Sequence, residues 1–328
     1  WQIGIVQPSI DPYHEKFSGM SHQEQMDILL RLSDSIADDR MDYIVGPETA
    51  IHEDIQESKL REHPAVARLD SFVREHPNLM MVLGMDSFRK YQSEDKPTPS
   101  ARRIGTSNSW IDKFNSAVQI DTTDHWPIYH KSKLVVGVEK MPYSGALSFM
   151  NDLILDLGGT TGTRGTQEKR ETFKAPGKPV RVAPVICYES IYGEYLTDYI
   201  KNGADFIFVI TNDGWWGETI GYRQHLHYAR LRAVETRRSI ARAANTGISC
   251  FINQKGQIIA PTGWWERTAI KGTLNANDAM TIYVQYGDYI GRVADLMAVF
   301  ALLYLLAKVI VNRSRHADLE RLRGGPQD

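Results

Sequence analysis

Short, almost wholly apolar runs alternate with segments of helical spacing along most of this chain, and that alternation restricts its fold more than any other feature. Gln2–Gln7, Tyr43–Val45, residues 80–84, residues 180–186 and Phe206–Thr211 each read as buried strands. Between the first two, Ser21 and Glu24 form a capping-box signature ahead of the stripe Met26, Leu29, Leu30, Ile36 and Ala37. Pro64 stands where a helix can start, with Val66, Leu69, Phe72 and Val73 following at helical spacing. Residues 116–120 and 127–130 read as neighbouring strands, and residues 222–244 as one long Arg-rich helix. Residues 248–252, 257–260 and 269–275 read as turn-linked strands. Residues 93–105 and 158–178 read as loops, the second long for a compact domain. A β-α-β order that gives way to hairpins implies a layered α/β domain.

The C-terminal region breaks this pattern. Residues 293–311 form an apolar helical run of about 19 residues, long enough to span a bilayer. Asp295 and Lys308 lie near its two ends, where side chains can reach the interface. Arg313, Arg315, Arg321 and Arg323 follow, and the positive-inside rule then places the C-terminus in the cytoplasm. The competing reading is a C-terminal core or dimer helix. The chain opens at Trp1, almost directly into a strand, with no visible signal peptide, so its first residue reads as a cut point.

A net charge of −2 gives no global basic field for nucleic acid. Two cysteines are too few for a disulfide scaffold or a Cys-rich zinc site, although they could form one bridge. Cys250, in Ile248-Ser249-Cys250-Phe251-Ile252, reads as a small buried thiol. His225 and His227 would face different sides of a helix, which argues for a helix-surface role and against a metal.

Acyl transfer from an ester or amide needs a nucleophile, a base and donors for the oxyanion. Cys187 ends an apolar strand in Val185-Ile186-Cys187-Tyr188-Glu189, and a following helix over residues 189–202 would favour a thiolate. The backbone N–H of Tyr188 is a natural oxyanion donor. Taken alone, such a cysteine is more often a packed core residue. Gly46-Pro47-Glu48 and Tyr129-His130-Lys131 likewise place a carboxylate and an ammonium after strands. Each is unremarkable alone, but three strand ends can converge on one edge of a sheet. Trp215 and Trp216, beside Asn212-Asp213, suit an acyl-chain or lid role, whereas Trp264 and Trp265 fit packing as well.

The combination resembles the nitrilase superfamily, whose members use a Glu-Lys-Cys triad on an α-β-β-α sandwich. It is closer to the apolipoprotein N-acyltransferase family, integral membrane enzymes that add the third acyl chain to bacterial lipoproteins. Gly46-Pro47-Glu48-Thr49-Ala50-Ile51 is similar to a family Trp-Pro-Glu-Ser-Ala-Ile segment, with Gly46 in place of Trp. Tyr129-His130-Lys131-Ser132-Lys133-Leu134 resembles the segment around the family lysine, and Ile186-Cys187-Tyr188-Glu189 the nucleophile motif. Thr211-Asn212-Asp213-Gly214-Trp215-Trp216-Gly217, Arg223-Gln224-His225 through Glu235, and Ala244-Asn245-Thr246-Gly247-Ile248-Ser249 continue the similarity.

The resemblance implies an α/β nitrilase-like sandwich with a C-terminal transmembrane helix: a catalytic domain over residues 1–288, a membrane helix over 289–312 and a short basic cytoplasmic tail over 313–328. It implies Cys187 as nucleophile, Glu48 as base and Lys131 as oxyanion partner. Glu139 matches a second family glutamate that positions the lysine, although its surroundings lack the expected Pro-Phe-Gly context. Tyr188, Glu189 and Asn115 match supporting positions. The implied partners are a phospholipid acyl donor, a diacylglyceryl lipoprotein acceptor and the membrane, with no nucleic acid, ATP, coenzyme A or metal. The implied location is the bacterial inner membrane, with the catalytic domain on the periplasmic side and the C-terminus cytoplasmic. Two other readings use the same residues: a nitrilase-type amidase acting on a small C–N substrate, and a membrane-anchored binding protein with a dead site.

Overall fold

The computed structural model describes residues 1–16, 19–136, 139–140 and 163–323. The chain divides into two compact units, Trp1–Gln285 and Tyr286–Asp328.

In the first unit the described residues form two sheets. β1 (Gln2–Gln7), β2 (Tyr43–Val45), β3 (Ile51–Gln56), β4 (Met80–Gln92), β5 (Arg102–Arg103), β6 (Ser109–Ile120) and β7 (Ile128–His130) belong to one. β8 (Phe173–Lys174), β9 (Arg181–Ile186), β10 (Phe206–Thr211), β11 (Ser239–Ala244), β12 (Cys250–Ile252) and β13 (Ile258–Ile259) form the other. β14 (Thr268–Thr273) returns to the first sheet and pairs antiparallel with β1. Parallel pairing in the middle of each sheet, β1–β2–β4 and β9–β10–β11, needs crossover connections, which the helices supply.

Alternation along the strands builds the layers. Tyr43, Val45 and Val82 turn to the second sheet and pack with Val182, Phe206, Phe208 and Phe251. Ile44, Met81 and Leu83 turn the other way, onto Met26 and Leu29 of α1 (His22–Asp34) and Val66, Leu69 and Val73 of α2 (Pro64–Glu75). The far face of the second sheet is covered by α3 (Gly193–Lys201) and α4 (Gly221–Thr236), through Leu196, Ile200, Leu226 and Ala229. The order is helix, sheet, sheet, helix, the α-β-β-α sandwich that the family resemblance implies. The capping box forms as expected, with Ser21 Oγ accepting from Glu24 N and the Glu24 carboxylate accepting from Ser21 N.

Three expectations are corrected. The helix expected over 222–244 ends at Thr236, and residues 239–244 are a central strand. Arg237 adopts a left-handed φ of 53°, which stops the helix, and β11 then pairs with β10 along all six residues. Ala241, Ala243 and Ala244 are good helix formers, but pairing between two buried strands outweighs that preference. The helix expected over 189–202 begins instead as a 3₁₀ turn, Cys187–Ile191, and resumes as α3 after Tyr192. The strands expected at 80–84 and 116–120 are the buried halves of a long hairpin that pairs from Met81–Ile120 out to Gln92–Ser109. Its outer half carries Arg89, Lys90 and Gln92 and so lacks an apolar signature. Of the loop expected over 158–178, residues 158–162 lie outside the described residues, and the rest is irregular chain leading to β8.

α5 (Ile282–Tyr286) belongs to the first unit up to Gln285, and α6 (Tyr289–Arg323) makes up most of the second. Asp288 caps α6 by accepting from Gly291 N at 2.9 Å. Within Tyr289–His316 an 18-residue stretch reaches a mean hydropathy of 2.2, and the helix is long and apolar enough to cross a membrane.

Candidate active site

The first sheet brings three ionisable side chains to one point. Gly46-Pro47 ends β2, and Glu48 follows with its backbone pressed against β4: a Cβ on Gly84 would stand 2.4 Å from Thr49 N and 2.7 Å from Glu48 Cα. Only glycine fits there. Lys131 directly follows β7, and its N–H donates to the Asn115 carbonyl of β6 at 2.8 Å. Lys131 Nζ donates to Glu48 Oε1 at 2.9 Å and to Glu139 Oε2 at 2.9 Å. Asn115 Nδ2 bridges the same two carboxylates, 2.8 Å from each Oε1. Glu48, Lys131, Glu139 and Asn115 are all buried.

A buried lysine ordinarily loses its proton more easily, but here burial is outweighed by Glu139 and Glu48, which raise the Lys131 amine well above its usual value. Against the same cost of burial, Lys131 and the N–H of Val135 hold the Glu139 carboxyl below its ordinary value. One cation is thus shared by two carboxylates, Glu48 and Glu139.

The second sheet delivers the thiol. Ile186 and Ile210 are paired across β9 and β10, so Cys187 leaves the sheet beside Thr211, the last residue of β10. Asn212, the next residue, donates its N–H to Glu48 Oε2 at 3.1 Å, which joins this edge to the first sheet. Cys187 has φ 47°, a left-handed conformation that costs an L-residue roughly 1–2 kcal/mol. Burial pushes the Cys187 thiol far up, Glu48 adds to the rise, and Lys131 opposes it. A thiol in that state needs a base beside it to react. Cys187 and Cys250 are both free, so the single-bridge reading does not hold.

The family model for carbon-nitrogen hydrolases matches residues 2–282. The chain belongs to the carbon-nitrogen hydrolase family. It is 30% identical over 315 residues to an apolipoprotein N-acyltransferase of Chlorobaculum tepidum, across 94% of this chain and 57% of that protein. An apolipoprotein N-acyltransferase of Pasteurella multocida is 40% identical over 108 residues, 33% of this chain and 21% of the relative. The chain therefore spans little more than half the length of the first of these relatives. Among solved structures, a Xanthomonas campestris CN-hydrolase superfamily protein superposes with a TM-score of 0.53 at 16% identity, over 84% of this chain and 90% of the other. A variant of a Nesterenkonia amidase from the nitrilase superfamily gives 0.55 at 16% identity, over 91% and 96%. At such identity these two speak for the fold alone.

The other expected residues of this hydrolase-family site occupy distinct places. Glu189 is fully buried beneath the Cys187 turn, accepting from Ile186 N at 2.9 Å, Ser132 N at 2.7 Å, Tyr129 Oη at 2.8 Å and Tyr195 Oη at 2.6 Å. It ties the residue before Cys187 to the residue after Lys131. Burial raises its carboxyl above the ordinary value despite these donors. Tyr188 is half-buried, its ring edge-on to Tyr192. Trp215 packs edge-on against Tyr13, and Trp216 is exposed in the turn after β10. Trp264 stacks on Tyr222 and meets Trp265 edge-on.

The structure also adds residues that sequence reasoning missed. Lys16 is buried and donates to the Glu48 carbonyl and to Thr49 Oγ1; burial pushes its amine down to about 8. A lysine in a loop gives no signal of this. His225 is buried too, which corrects the helix-surface expectation, whereas His227 is exposed. The ring of His225 meets Asp213, itself paired with Arg242 Nη2 at 2.7 Å. A lone Arg242 between small apolar neighbours was a sign of this pair, hidden by the helical reading of the segment.

Proposed function

We propose that this chain carries the acyl-transfer site of an apolipoprotein N-acyltransferase, moving a fatty acyl chain from a phospholipid through a Cys187 thioester to the α-amino group of a diacylglyceryl-cysteine. The observation that carries this reading is the convergence of Glu48, Lys131 and Cys187 from three strand ends, in a chain that also holds an apolar helix of membrane-crossing length.

Glu48 takes the Cys187 proton, and the sulfur attacks the ester carbonyl of the donor. Lys131 and the N–H of Tyr188 stabilise the oxyanion. The intermediate collapses to the thioester, and Glu48 returns the proton to the departing lysophospholipid alcohol. The neutral α-amine then attacks the thioester, Glu48 accepts its proton, and the amide forms as the Cys187 thiol is restored. Glu139 and Asn115 keep Lys131 charged and aimed, and Glu189 sets the spacing between its strand end and the nucleophile turn. Trp215 and Trp216 line the acyl-chain entrance, and an apolar chain there excludes water that would hydrolyse the thioester. The thioester stores the activation, so the reaction needs no cofactor. α6 spans the bacterial inner membrane as a 289–312 segment, with 1–288 on the periplasmic side and the basic residues after it in the cytoplasm.

The amidase reading uses the same thioester and differs in the acceptor. Incubation with radiolabelled phospholipid separates the two: the protein should acquire a label on Cys187 that hydroxylamine removes and that passes to a diacylglyceryl peptide. Label that persists on Cys187→Ala, or a soluble amide hydrolysed while phospholipid leaves no label, would overturn the proposal.

A further inference from the structure

The backbone of the nucleophile is gripped from behind by a side chain to which the steps above give no part. His225 Nε2 lies 3.0 Å from the Cys187 carbonyl oxygen and 2.8 Å from Ser190 Oγ. Ser190 Oγ itself donates to the Cys187 oxygen at 2.7 Å. A carbonyl oxygen can only accept, and the single Ser190 proton is already directed at it, so Nε2 carries a hydrogen and donates into this pair. On the other side of the ring, Nδ1 lies 2.9 Å from Asp213 Oδ1. Asp213 is fully buried and fixed in turn by Arg242 and by Thr211 Oγ1 at 3.1 Å. The whole chain of contacts ends on one peptide group, the one linking Cys187 to Tyr188.

That peptide is planar and trans, so its C=O and N–H point in opposite directions. Holding the carbonyl oxygen from one side fixes where the Tyr188 N–H points on the other. We infer that His225 is a positioning residue: with Ser190 it anchors the Cys187 carbonyl, and thereby aims the Tyr188 N–H at the oxyanion while keeping Cys187 in its left-handed conformation. The inference rests on the acyl-transfer reading for the identity of the oxyanion. Asp213 and Arg242 orient the ring, and Ser190 supplies the second donor.

The test compares two reactions of Cys187 in the full chain in phospholipid vesicles. Thioester formation passes through an oxyanion, and alkylation by iodoacetamide does not. In His225→Ala, thioester formation should fall about 10²-fold, near the effect of losing an oxyanion donor. Alkylation should fall less than about tenfold, and the donor KM should stay near that of the unaltered protein. His225→Gln, whose amide N–H can reach the same carbonyl, should regain about tenfold of the loss. Ser190→Ala, which leaves one donor in place, should lose about tenfold and serves as the deciding variant if His225→Ala does not fold. The inference is overturned if thioester formation in these variants stays within about threefold of the unaltered protein. Alkylation and acylation falling together, with His225→Gln no better than His225→Ala, would also overturn it. An unaltered protein that takes acyl groups from p-nitrophenyl esters but never from phospholipid would instead sink the proposed donor, and the variants would then be judged on the ester.

Discussion

Glu48 and Lys131 reach the site from the first sheet and are fixed mainly by bonds between side chains, the Asn212 N–H on Glu48 apart, whereas Cys187 comes from the second sheet and is fixed through its own main chain. On the first side, one ammonium and one carboxamide bridge two carboxylates, and every partner is itself charged or polar. On the second, the side chains of Glu189, Ser190 and His225 all bind backbone atoms, at Ile186 N and at the Cys187 carbonyl. On the proposed acyl-transfer reading, the difference follows from what each half must do. A base and an oxyanion partner need a set charge, which neighbouring charges supply. A nucleophile needs a set direction, which a constrained peptide supplies.

The largest effect should come from the charged side. Glu48→Gln keeps the shape and removes the proton acceptor, and acyl-enzyme formation should fall about 10³-fold, read from the rate of hydroxylamine-sensitive labelling. An effect below tenfold would mean that another group takes the thiol proton.

The buried pair behind the nucleophile offers the contrast in stability. Arg242→Met leaves Asp213 buried without its guanidinium partner and should destabilise the fold by about 3–5 kcal/mol, measured by denaturant unfolding. A loss under about 1 kcal/mol would show that the second sheet does not depend on this pair.

Acid should weaken the first sheet before it reaches that pair. Asp86, against its burial, is held down to about 2 by Arg164 and His52, and Glu57 to about 2 by His130 and Arg89. Both carboxyls lie below their unfolded values, so their stabilisation is complete above about pH 4.5 and is lost as pH falls toward 2. Asp213 lies lower still, held by Arg242 and His225 despite burial. Asp86→Asn should therefore remove roughly 2 kcal/mol of the pH dependence between pH 4 and pH 2. Melting curves at those two pH values that differ as much in the variant as in the unaltered protein would contradict this.

The smallest effect is a control in the outer layer. Ser21→Ala removes the cap of α1 and should cost about 1 kcal/mol in unfolding experiments without slowing acylation. A slower acylation would mean that α1 sets the position of Glu48.

The sequence discloses the two halves unequally. Glu48, Lys131 and Cys187 all follow short apolar runs, so their strand ends could be read directly, as could the packing faces of α1 and α2. The supports of the nucleophile could not. β11 is built of Ser239, Ile240 and alanines that suit a helix, and only pairing with β10 makes it a strand. Misreading it hid Arg242, and with it the reason that Asp213 and His225 are buried. Lys16 and Asn212 meet Glu48 through contacts between residues far apart in the chain, which no local pattern encodes.

Gly84 shows how a missing atom can act at a distance from the chemistry. No reactive group touches this position, yet the empty volume on its α-carbon is what allows the chain at Glu48 to lie flat on the neighbouring strand. Adding one methyl there would shift the carboxylate bodily while leaving every proton donor and acceptor unchanged. The residue is thus a ruler: substituting it offers a way to vary the reach of the carboxylate without changing its chemistry, and to measure how steeply turnover depends on that reach.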